Sequence, residues 1–207
     1  MASPQSDAPT APSDAPATPG DTPVRRRTRQ AIVDAAVHVW AANWSAPLAV
    51  VAERAGVSRS TLHRYFADRA EVIDACLEAG ERAFDPVGEA IAGDPMPPAT
   101  GLDELIRSLE HIVPLGHWVL FLWTDPHRFD GNPRAAAFHE TGNDETYEMV
   151  RRGQADGSLA ADVPPEWLVD IYYSILYCAA ESTINRGTSV ADATRYAVRA
   201  LRGGITG

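Results

Sequence analysis

The stretch AERAGVSRSTLHRYFADR, residues 52–69, places four of the chain's arginines around one glycine. Gly56 is a natural helix stop, because glycine adopts the left-handed conformation of a tight exit without a Cβ clash. Before it, Leu48, Val51, Ala52 and Ala55 give a short apolar face, with Pro47 suited to the first turn. After it, Ser58 is an N-cap for a third helix of about residues 59–65. Asp68 and Glu71 have capping-box spacing and open a fourth, whose stripe of Val72, Ile73, Cys76, Leu77 and Phe84 runs toward Gly93. Upstream, from Thr28, Ile32, Ala35, Ala36, Val39 and Trp40 repeat at three and four, the period of one helical face. Three short helices with Leu62 and Phe66 turned inward predict a helix-turn-helix. The third helix then leaves Arg59, Ser60, His63 and Arg64 outward.

Charge follows the same division. The whole chain carries −10, and all 18 basic residues are arginine. Residues 24–70 hold eight Arg against Asp34, Glu53 and Asp68, whereas residues 71–207 hold ten Arg against 22 acids. A basic segment on an acidic body predicts an anionic partner for that segment alone. Arginine suits DNA, because its planar fork pairs with guanine O6 and N7. Hydroxyls and helix N-termini suit phosphate oxygens.

Outside this unit, residues 1–23 are rich in Pro, Ala, Ser, Thr and Asp, and predict a disordered tail that ends in the basic arm VRRRTRQ. Residues 24–70 are expected to form the DNA-binding domain, and residues 71–207 a second helical domain. Leu102, Leu105, Ile106, Leu109 and Ile112 mark one helix there, the apolar HWVLFLW another, and residues 134–154 a third with a weak point at 141–143. Trp167 to Arg186 reads as a long helix closed by Gly187, and Ser189 with Asp192 caps a last helix that stops at Gly203-Gly204. The fold class is all-α, with about nine helices. Cys76 and Cys178 lie far apart, too few for a disulfide framework or a zinc site, and fit a reducing cytoplasm. No apolar run is long enough for a membrane span, and no export signal is evident. His111, His117, His127 and His139 match no metal-ligand spacing, no catalytic motif is found, and no cofactor or enzyme activity is expected.

The segments VAERAGVS, TLHRYF and DRAEVI stand in order within residues 28–77. Together they resemble the N-terminal domain of the TetR family of transcriptional repressors. The resemblance implies an all-α homodimer on a palindromic operator. It also implies a small-molecule pocket in the C-terminal helices and a dimer interface formed by the last two. Carried over by position, Arg59, Ser60 and Arg64 would face bases, with Thr61 and His63 near bases or phosphates. Tyr65, Arg69 and Thr28 would hold phosphate. His63 stands where the family usually has tyrosine, and Arg69 where it usually has lysine. Pro47 lies near a usual phosphate-binding hydroxyl, so that either Ser45 substitutes for it or the contact is lost.

The long helix WLVDIYYSILYCAAESTINR is apolar on two faces, so two covers are needed. One is the domain's own core. The other is expected to be a second copy, through Leu168, Ile171, Ile175 and Ala179 with Val198 and Leu201 of the last helix. Aromatic residues cluster in the second domain, and the pocket residues expected are His117, Trp118, Phe121, Trp123, Phe138, Tyr147, Tyr173, Tyr177 and Glu181. An apolar or aromatic effector would fit them, and the surplus of acids would suit a cationic aromatic one. The alternative is a ligand-independent DNA-binding protein whose second domain only dimerises or docks a protein. A cavity lined by those aromatics, as against a solid core, separates the two.

Overall fold

The computed structural model describes residues 22–92 and 98–205. The expected tail therefore lies outside the described residues, save Thr22 and Pro23. Among the described residues there are nine α-helices and no strand: α1 (Pro23–Ala42), α2 (Leu48–Arg54), α3 (Arg59–Tyr65), α4 (Arg69–Ala92), α5 (Gly101–Ile112), α6 (Gly116–Trp123), α7 (Pro133–Asp156), α8 (Pro165–Asn185) and α9 (Val190–Ile205). Short 3-10 turns join α5 to α6 and α6 to α7. None of these helices is long and apolar enough to cross a membrane.

Three boundaries differ from the sequence reading. Helix α1 starts at Pro23, not Thr28, because Thr22 accepts a hydrogen bond from the Arg25 N–H (3.3 Å) and Pro23 suits a first turn. The basic arm is thus helical. Helix α7 runs unbroken through residues 141–143, and α9 continues through Gly203-Gly204 to Ile205. In α7 a tertiary contact offsets the weak local propensity, since the Tyr173 hydroxyl donates to the Gly142 carbonyl (3.1 Å).

The turn at Gly56 takes the form the sequence requires. Its φ is +68°, the Val57 N–H donates to the Ala52 carbonyl, and the Gly56 N–H donates to the Glu53 carbonyl, both at 3.0 Å. These two bonds satisfy the last carbonyls of α2 in the Schellman pattern. Ser58 then accepts from the Thr61 N–H (3.1 Å) to start α3. Asp68 accepts from the Glu71 N–H (3.0 Å), while Glu71 reaches back to the Ala67 N–H (2.7 Å) to start α4.

Ile32, Ala36, Trp40, Val51, Leu62 and Phe66 are all buried. They form a core that continues through Val72, Cys76 and Leu77 of α4 to Phe121 and Leu122 of α6. A second core lies under α5, α8 and α9, around Leu105, Leu109, Leu168, Tyr172 and Leu201. Helices α5 and α7 cross at bare backbone. A Cβ on Gly101 would sit 2.1 Å from the Gly153 nitrogen, so nothing larger than glycine fits.

Candidate nucleic-acid interface and ligand cavity

Helix α3 holds its apolar residue Leu62 in the core and leaves Arg59, Ser60, His63 and Arg64 exposed. Among the described residues neither Arg59 nor Arg64 pairs with a carboxylate. Both guanidinium forks are therefore open to an outside anion or base edge. Thr61 is half-buried, and its hydroxyl receives a hydrogen bond from Ser58 Oγ (2.9 Å), which also lies 2.9 Å from Ser60 Oγ. Tyr65 is gripped by two cations, with the Arg25 and Arg64 guanidiniums 5.5 and 5.6 Å from its ring centroid. The first turn of α1 thus lies against the end of α3, on one face.

Three expected phosphate contacts are engaged differently. Arg69 turns inward: its Nη1 donates to the Ala46 carbonyl (2.8 Å) and its Nη2 to the Trp44 carbonyl. The guanidinium lies 4.3 Å from the Trp40 ring and 4.9 Å from Trp44. Burial draws its pKa below the ordinary guanidinium value. It is a clamp on the turn before α2, because the carbonyls there need donors and the indole faces attract a cation. Thr28 sits more than one turn into α1, where its hydroxyl donates to the Val24 carbonyl (3.0 Å). Ser45 is exposed, but its hydroxyl donates to Asn43 Oδ1 (2.8 Å).

In the C-terminal half an open cavity of about 990 Å³ lies between α6, α7 and α8. Of the residues expected there, Trp123, Tyr173 and Tyr177 line it. The others belong elsewhere. Phe121 is fully buried in the first core, against Trp44 and Phe129. Trp118 covers Gly80 of α4, and Phe138 packs outside the cavity against Phe84 and Trp123. Tyr147 packs on the second core, and Glu181 accepts from Asn185 Nδ2 (2.7 Å). His117 lies against His38 of α1, ring centroids 3.5 Å apart. Burial, then the neighbouring His38 and Arg54, pushes its pKa down to about 4, so it is neutral at neutral pH.

Sequence reasoning left out Asp170 and Ser174 of α8, and Thr124 and Asn143, which also line the cavity. The first two carried a signal: with Tyr177 they form a stripe at four- and three-residue spacing down an otherwise apolar helix. His139 lines the cavity too. Its Nε2 is buried without a hydrogen-bond partner, and burial lowers its pKa. Tyr173 presents its ring, while its hydroxyl donates to the Gly142 carbonyl (3.1 Å). Among the described residues no group of three His, Cys, Asp or Glu side chains could hold a metal ion.

A separate apolar groove of about 360 Å³ runs between α8 and α9, lined by Ile171, Ile175 and Ala179 among others. Leu168 and Leu201, expected at a dimer interface, are instead buried in the chain's own core, and Val198 is half-buried against it. Tyr196, which the sequence reading passed over, stands beside the groove 56% exposed.

These features define a helix-turn-helix protein whose first core runs on into α6, beside an open cavity between α6, α7 and α8. The family model described as "Bacterial regulatory proteins, tetR family" matches residues 32–76. The HTH-type transcriptional repressor LfrR of Mycolicibacterium smegmatis is 30% identical over 159 residues, covering 76% of this chain and 80% of that protein. The crystal structure of LfrR in complex with proflavine superposes with a TM-score of 0.67 at 26% identity, over 89% of this chain and 99% of that one. The ketosteroid regulator KstR2 of Mycobacterium tuberculosis shares the fold, with a TM-score of 0.69 at 15% identity over 86% of this chain and 95% of that one. The chain belongs to the TetR family and is a DNA-binding transcription regulator.

Proposed function

We propose that the chain is a cytoplasmic, homodimeric repressor that occupies a palindromic operator and leaves it when a small molecule fills the cavity between α6, α7 and α8. The observation that carries this reading is the way α4 spans the two sites. At its start, Arg69 fixes the turn that leads into α2. Further along, Asp74 accepts from Asn132 Nδ2 (2.7 Å), Glu81 pairs with Arg134, and Phe84 lies 5.3 Å from the cavity residue Trp123. A ligand that moves α6 or α7 therefore pushes on the rod that orients the recognition unit. A coupling of roughly 1–3 kcal/mol would lower operator affinity about 5- to 150-fold.

Arg59, Ser60 and Arg64 are assigned to base edges, with Thr61, His63 and Tyr65 beside them on bases or phosphates. Two copies joined along the α8–α9 groove would present two such helices to two half-sites. An open cavity in place of a solid core favours the ligand-responsive reading over a purely dimerising domain. The relative crystallised with proflavine supports the same choice. Selection of bound fragments from random DNA should return an inverted repeat, and compounds that quench Trp123 should release it. Recovery of sequences without two-fold symmetry would refute the dimeric operator complex.

A further inference from the structure

The cavity wall carries charge of one sign. Glu140 of α7 and Asp170 of α8 both line it, both are exposed, and among the described residues neither is paired with a cationic side chain. Among the described residues no arginine contributes to the lining. The one imidazole there, His139, is held toward its neutral form by burial. Beside the carboxylates, the Trp123 and Tyr173 rings lie 6.3 Å apart and within 28° of parallel, and Tyr177 is 37% exposed. Aromatic faces attract cations, and unpaired carboxylates on facing helices add a long-range attraction of the same sign. An anionic ligand would meet both carboxylates with no counter-charge.

We infer that this cavity selects an organic cation with aromatic surface, its charge set between Glu140 and Asp170 and its rings against Trp123 and Tyr173. The inference rests on the reading of the cavity as the effector site. The probes are tetraphenylphosphonium and tetraphenylborate, ions of the same shape and opposite charge. Calorimetric titration of the full chain should give one phosphonium ion per chain, bound at least about tenfold more tightly than the borate, which corresponds to about 1.4 kcal/mol. The doubly substituted Glu140→Gln, Asp170→Asn protein keeps its fold, since both side chains are exposed, and should lose most of that preference. Added salt should weaken the phosphonium complex of the parent and leave the double variant nearly unaffected. If the borate binds as tightly, or if the double variant keeps the preference, the charge assignment fails while the cavity remains a ligand site. If neither ion binds, the inference fails, while the effector reading is decided separately by whether any compound releases the operator.

Discussion

Arg59 and Arg69 lie close in sequence and do opposite work. Arg59 stands on the outer face of α3 with no ion-pair partner among the described residues. Arg69 lies under the helix-turn-helix, between two indoles and two carbonyls. The same side chain is a probe for a partner in one place and a structural rivet in the other. What separates them is the supply of acceptors. The turn at residues 43–47 has carbonyls that no helix satisfies, while the face of α3 has none to offer.

Substitutions test this division. The largest effect belongs to the interior. Phe121→Ala should lower stability by about 3–5 kcal/mol, because it empties a fully buried ring site between the two halves. A stable Phe121→Ala protein with altered ligand affinity, measured by melting and titration, would move that residue back to the cavity. Arg69→Ala should cost about 1–3 kcal/mol of stability, since it strands the Trp44 carbonyl and leaves the Ala46 carbonyl to the Trp40 indole N–H alone. Arg69→Lys should recover only part, because one ammonium cannot reproduce the fork. Unchanged melting with weakened operator binding would instead make Arg69 a phosphate contact.

On the outer face, Arg59→Ala should leave stability within about 0.5 kcal/mol. It should remove roughly 1–3 kcal/mol of discrimination between the selected operator and random DNA. Equal losses on both DNAs at one salt concentration would sink the base-reading role.

The effect confined to acid pH, and absent at neutral pH, concerns His117. Its folded pKa is lowered to about 4 from an ordinary 6.5, so the unfolded chain binds the proton first. Its contribution to stability is complete above about pH 6.5 and drains away as pH falls toward about 4. His117→Gln should flatten the pH dependence of the melting temperature in that window relative to the parent. Identical profiles would remove the histidine pair from the α1–α6 contact.

The recognition unit was legible in the sequence because its signals are local. Gly56, Ser58 and the Asp68–Glu71 pair act through bonds to neighbours within a few residues, and each forms as read. The cavity was legible only in outline. Trp123, Tyr173 and Tyr177 were found, but Phe121 and Trp118 look the same in composition and serve the core. Side chains of one kind are sorted between core and cavity by how helices cross, and no local pattern encodes that. Leu168 and Leu201 show the same limit at the α8–α9 face. An apolar stripe does not say which of two covers it meets.

The indole of Trp44 touches nearly everything at the junction: Trp40, Phe121, Phe129 and the guanidiniums of Arg69 and Arg128. Its emission should therefore report any tilt of the reading head against the body, in the absence of an attached dye. A spectroscopist who subtracted the emission of a Trp44→Phe variant from that of the parent would watch the protein broadcast its own switching.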